Sequence, residues 1–121
     1  MPDLVLKNGN VVNVFTGEIL KGDVAVKDGF VVGVGNYHGK IEKDVSGKYI
    51  VPGFVNAHLH VESSMVTPNV YVMEELRHGT TTVITDPHEI VNVGGAAAMK
   101  DVLNAAKKSP LNYYVMLPSC V

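Results

Sequence analysis

The sequence of 121 residues has a single cysteine, Cys120, and so closes no disulfide within itself. That excludes the disulfide-stapled secreted scaffolds and points to a reducing compartment. No apolar run approaches the ~20 residues that a membrane-spanning helix needs. Basic clusters are missing too: Lys107-Lys108 is only a pair, and a net charge of -2 leaves no footprint for nucleic acid or membrane. The opening, MPDLVLKNGN, lacks a basic start followed by an apolar core and does not read as a signal peptide. A soluble, cytoplasmic protein with no nucleic-acid or membrane partner is the expectation. Charge itself is scarce, at 18% of residues against 46% apolar. That balance suits an α/β protein whose strands are buried on both faces.

What is present falls into two textures. Residues 1–52 read as β-rich. Leu4, Val5 and Leu6 precede an Asn8-Gly9-Asn10 turn, and Val11, Val12 and Val14 precede a second turn at Thr16-Gly17. A strand over 23–27 leads through Asp28-Gly29 into a strand over 30–34, and Asp-Gly between β-branched runs is a strong hairpin signal. Residues 48–51 read as one more short strand, and the whole as a compact β-meander. Over 53–121 strands and helices alternate. A buried strand over 54–61 is followed by a helix over 68–78, with Thr67 as N-cap, Pro68 at the first helical position and Gly79 just past the end. A strand over 80–85 ends at Asp86-Pro87. A turn of helix over 90–93 is interrupted by Gly94-Gly95, and a second helix covers 96–108. Ser109-Pro110 stops that helix before a third strand over 112–117. This alternation predicts a parallel sheet with right-handed crossovers. Three parallel strands with unpaired apolar edges make a poor free-standing domain, so the chain reads as the N-terminal piece of a longer protein.

The chemistry concentrates at His58-Leu59-His60, within VPGFVNAHLHVESSM. Side chains alternate along a strand, so both imidazoles point the same way and can serve one metal ion. Their place at the C-terminal end of a parallel strand, where (β/α) barrels build active sites, favours metal ligation over a structural role. Glu62 continues the same phase if the strand persists. Glu62 and Ser63 have two readings of equal weight: a polar, turn-forming loop, or a carboxylate near the metal that orients a ligand, water or substrate. Asp86 and His88 end the next strand. Residue chemistry favours Asp86 as a cap for the helix that follows, with Glu89 suiting its N-terminus; a metal or polar substrate at Asp86 and His88 is the alternative. His78 suits a helix C-terminus, and His38 a solvated turn. Gly33-Val34-Gly35 lacks the third glycine and the helix of a dinucleotide fingerprint. Cys120 has no base partner nearby in sequence, which argues against a nucleophilic thiol.

The segments VPGFVNAHLHVESSMVTP, HGTTTVITDPHEIVNV (78–93) and LPSCV (117–121) together resemble the adenine deaminase family of the amidohydrolase superfamily. Proline-glycine, strand and His-x-His alone would also fit dihydroorotases and imidazolonases. The resemblance covers essentially the whole chain. It implies a (β/α)₈ TIM barrel carrying a β-sandwich domain, with 1–52 the N-terminal part of the sandwich and 53–121 the first three barrel strands and their helices, incomplete in this chain. It implies a pair of divalent metals, manganese or iron with zinc as the other option, held in part by His58 and His60. Glu62 is the one catalytic candidate here, and Glu62, Ser63, Asp86 and His88 are candidates for contacting substrate or orienting ligands. The implied reaction is hydrolysis of adenine to hypoxanthine and ammonia by attack of a metal-activated water at C6, in a full-length protein expected to be a homo-oligomer. The remaining ligands and a catalytic aspartate would lie beyond Val121, so the 121 residues alone are expected to be inactive. A cyclic-amide hydrolase, or a non-catalytic folding or assembly module, are the competing readings.

Overall fold

A computed structural model describes residues 1–118; Cys120 and the end of the LPSCV segment lie outside the described residues. The chain divides into two compact units, 1–52 and 53–121.

The first unit is one five-stranded sheet. Its strands are β1 (Leu4–Asn13), β2 (Glu18–Lys27), β3 (Phe30–Gly35), β4 (Ile41–Asp44) and β5 (Tyr49–Ile50). The order is β3-β2-β1-β4, with β5 also on β1. β1, β2 and β3 pair antiparallel, whereas β4 and β5 join β1 in parallel. The expected meander is therefore corrected: a central β1 is flanked on both sides. The Asn8-Gly9-Asn10 turn is corrected too. Asn8 takes a left-handed φ of 62°, but the strand runs on through a bulge between Leu6 and Gly9. The reason is non-local. The Asn8 N–H donates to Asp23 Oδ1 at 3.0 Å and its side-chain amide to Asp44 Oδ1 at 3.1 Å, so the bulged backbone is satisfied without reversing direction. The Asp28-Gly29 hairpin stands as expected, with φ of 50° and 81° at the two residues, the left-handed pair that a type I′ turn requires. Val5, Val24, Ala25 and Val45 form the buried side of this unit.

The second unit alternates as expected. β6 (Phe54–Leu59), β7 (Thr80–Thr85) and β8 (Asn112–Val115) form a parallel sheet in that order. Between them come a 3₁₀ turn (Val61–Ser64), α1 (Pro68–Arg77) and α2 (His88–Lys108). Pro68 opens α1 with Thr67 at the N-cap position, but the Thr67 hydroxyl makes no capping bond. The run TTTVIT makes β7 because β-branched side chains pack well on a pleated, buried surface. Gly95, with φ 59° and ψ -150°, breaks α2 where the Gly-Gly pair had marked an interruption. Val72 from α1, Val83 from β7 and Leu111 form the core, joined by Leu59, Tyr71, Leu76 and Tyr113. Burial of Val83, fully removed from solvent, is worth about 1.5–3 kcal/mol. The sheet face turned away from Val83 differs from expectation: Val55 and Tyr114, whose register places them on it, are exposed. β6 is also shorter than expected, since the chain leaves the sheet after Leu59 and coils at Val61.

Candidate metal centre

Parallel pairing of β6 with β7 brings two distant sequence segments together at their C-terminal ends. Leu59 pairs with Thr85, so His60 and Asp86 leave the sheet side by side, and the Asp86 N–H donates to the Leu59 carbonyl at 2.9 Å. His60 keeps extended backbone, φ -118° and ψ 101°, and the strand's alternation carries through it. His58 and His60 consequently share a side, their rings edge to face with centroids 5.0 Å apart. On the other flank of His60 stands His88, the first residue of α2, with ring centroids 4.6 Å apart.

Asp86 anchors two of these rings by different atoms. Its backbone carbonyl lies 2.7 Å from His60 Nδ1. A carbonyl only accepts, so Nδ1 carries the proton and Nε2 keeps its lone pair. The Asp86 carboxylate does the same for His88, with Oδ2 3.2 Å from Nδ1. Its other oxygen, Oδ1, is buried and has no hydrogen-bond partner. His60, Asp86 and His88 present one ligand atom each, all within 4.8 Å of one another. Two imidazoles fixed through Nδ1, which leaves Nε2 with its lone pair, and a carboxylate with one unsatisfied oxygen are a donor set suited to a divalent cation. The residues present fit a metal.

The other sequence candidates fall elsewhere. His58 adjoins His60 but is outside that three-residue group. Glu62 does not continue the strand phase, because the 3₁₀ turn swings it toward α2. Its Oε1 accepts from the N–H groups of Glu89 at 3.1 Å and Ile90 at 3.3 Å. Ser63 Oγ donates to the Glu89 carboxylate, 2.8 and 2.9 Å from its two oxygens. The cap assigned to Asp86 is therefore corrected. Pro87 occupies the N-cap position with no side-chain capping bond, and the capping carboxylate comes from Glu62 on a different loop. His78 ends α1, its Nδ1 2.8 Å from the Glu74 carbonyl, and His38 is exposed beside Glu42.

Two features gave no signal in sequence. The Asp86 backbone carbonyl is one, since a main-chain acceptor carries no residue signature. The other is a cavity of about 370 Å³ beside the 3₁₀ turn, lined mainly by apolar side chains and by Glu62, Thr85 and Tyr113. The Tyr113 hydroxyl is buried without a completed hydrogen bond, although it lies near the Thr85 hydroxyl, and burial pushes its phenol above the ordinary value.

Residues 49–121 match the model of the amidohydrolase family. The chain is 52% identical over 119 residues to the adenine deaminase of Geobacillus kaustophilus, covering 98% of this chain and 21% of that protein. Identity to the adenine deaminase of Desulfitobacterium hafniense is 54%, again over 98% of this chain and 21% of the relative. The chain thus spans about a fifth of the length of the curated relatives it matches. Among solved structures, a D-aminoacylase described with a binuclear metal centre superposes with a TM-score of 0.73 at 22% identity, covering 98% of this chain and 30% of that one. At that identity the likeness shows the fold: the opening units of a (β/α) barrel preceded by a β-rich segment.

Proposed function

The chain belongs to the amidohydrolase family, and on that footing we propose that it is the N-terminal portion of a metal-dependent adenine deaminase acting in the cytoplasm. The substrate class rests on identity above 50% to adenine deaminases along nearly the whole chain. The observation that carries the metal reading is the anchoring of His60 through Nδ1 to the Asp86 carbonyl, which leaves Nε2 available at the mouth end of β6. His58 and His60 would be the ligands from this strand, contributing to a binuclear manganese or iron site. When bound, a divalent metal lowers the pKa of its water toward ~7 and so supplies hydroxide at neutral pH. The chain's own residues then have distinct tasks. Asp86 holds the imidazoles of His60 and His88 in the tautomer that presents Nε2. The free Asp86 Oδ1 is placed to accept a proton or a hydrogen bond from a polar group entering the site. β6 and β7 provide a rigid base, so ligand positions need little rearrangement on loading.

The test is made on the full-length protein that carries this chain. Stoichiometric divalent metal and ammonia release from adenine, both reduced together in His58→Ala, are expected. Ring opening of a cyclic amide without adenine turnover would move the protein elsewhere in the family. A protein purified without metal, and not reactivated by it, would point to a non-catalytic module.

A further inference from the structure

We propose that Glu62 and Ser63 are positioning residues: they fasten the turn after β6 to the first turn of α2 and so set the spacing between His60 and His88. The inference rests on the metal-dependent reading above.

The geometry forms a closed circuit. His60 and Glu62 are two residues apart in the chain. Glu62 Oε1 accepts from the N–H groups of Glu89 and Ile90, the two residues directly after His88. His88 returns to Asp86 through Nδ1, and the Asp86 carbonyl returns to His60. Ser63 adds a second strand to the fastening through the Glu89 carboxylate. Ser64 Oγ, bonded to the Val61 carbonyl at 2.5 Å, holds the 3₁₀ turn that aims Glu62.

Glu62 is needed because α2 cannot cap itself. Pro87 has no side-chain acceptor, and Asp86 spends Oδ2 on His88. The first N–H groups of a helix have no partner within the helix, and a carboxylate there is favoured by hydrogen bonding and by the helix dipole. Without Glu62 the first turn would be solvated or would fray. His88, as its first residue, would then lose its fixed distance from His60. Groups that orient metal ligands without touching the metal commonly govern affinity.

The experiment uses the full-length protein, stripped of metal and titrated with Mn²⁺, with binding followed by electron paramagnetic resonance alongside adenine turnover. Wild-type turnover and metal uptake test the functional reading first; if these fail, that reading fails before Glu62 is at issue. Glu62→Ala should weaken Mn²⁺ binding about 10-fold, the lower end of the range for groups that orient ligands. Glu62→Gln keeps an acceptor oxygen and should restore binding to within about 3-fold, since a neutral cap loses only the charge-assisted part of the bond. If Glu62→Ala fails to fold, Ser63→Ala and Glu89→Gln carry the test. Each should weaken binding modestly, and the double variant should lose less than the sum, as residues sharing one bond are coupled. Wild-type Mn²⁺ affinity in Glu62→Ala, or in the Ser63→Ala/Glu89→Gln pair, overturns the proposal. So does loss of turnover in Glu62→Gln with unchanged Mn²⁺ binding, which would place the carboxylate in proton transfer.

Discussion

Two carboxylate groups, Asp23 buried and Asp86 half-buried, behave in opposite ways in the two units of this chain. Asp23, in the first unit, is saturated: it takes Lys7 Nζ at 2.6 Å and the N–H groups of Asn8 and Tyr37. Lys7 is equally committed, donating also to the Tyr37 carbonyl at 2.8 Å. Asp86, in the second unit, gives one oxygen to His88 and leaves the other buried and unpartnered. The Tyr113 hydroxyl, the other buried orphan among the described residues, is in the second unit as well. A buried polar atom without a partner costs folding free energy, so it persists where something other than folding requires it. The first unit uses its charges to finish a sheet. The second leaves donors and acceptors open at the end of one.

The largest effect expected from this contrast is in catalysis. His60→Ala in the full-length protein should lower adenine turnover by about three orders of magnitude, the scale of the several kcal/mol that a Lewis-acid metal supplies. Bound metal should fall with it, while unfolding of the metal-free protein is barely changed. Asp23→Ala should do the reverse, lowering stability and leaving turnover per folded molecule intact. Equal loss of turnover from both substitutions, at full folding, would break the distinction between the units.

A smaller effect sharpens it. Tyr113→Phe removes a hydroxyl that the described residues leave unsatisfied. Burial raises its pKa, so the group is a neutral phenol near pH 7. Deleting an unsatisfied hydroxyl while keeping the ring should raise stability by about 1 kcal/mol. Measured by denaturant midpoint in the full-length protein, a loss of that size instead would show that the hydroxyl has a partner there and is not an orphan.

The same contrast explains what the sequence revealed. Local signals were legible where local physics decides. Asp28-Gly29 made its hairpin because both residues accept positive φ, and the β-branched run TTTVIT made its strand. The His-x-His period survived because extended backbone continues through His60. The errors arose where a partner distant in sequence decides. Asn8-Gly9 has turn chemistry, yet Asp23 and Asp44 absorb its polar groups and let β1 run on through the bulge. Asp86 has capping chemistry just before a helix, yet the cap comes from Glu62, 27 residues before Glu89. Which loop reaches which helix end follows from the pairing of β6 with β7, and no window of sequence around Asp86 contains that pairing. The place of His88 beside His60 was illegible for the same reason.

The subtlest way to separate the two units is by acid. The Asp23 carboxyl is held at about 2, against an ordinary 3.8, chiefly by the hydrogen bond from Lys7 and then by the N–H groups of Asn8 and Tyr37. Asp3, Glu42 and Asp44 in the same unit are lowered too, by Lys40, by the Gly39 N–H and by Ser46 respectively. A carboxyl whose pKa is lower folded than unfolded binds fewer protons when folded. Its contribution is therefore complete above the unfolded value and is lost as pH falls from about 4 toward 2. Protection of the β1 and β2 amides, taken relative to the intrinsic exchange rate at each pH, should fall over that interval in wild-type protein. In Asp23→Asn protection should already be lower at pH 6, and should fall less steeply on acidification, because the Asp23 contribution is no longer there to be lost. Parallel acid profiles for the two proteins would mean that Asp23 keeps its ordinary affinity for protons and that its three hydrogen bonds do not hold the carboxylate form.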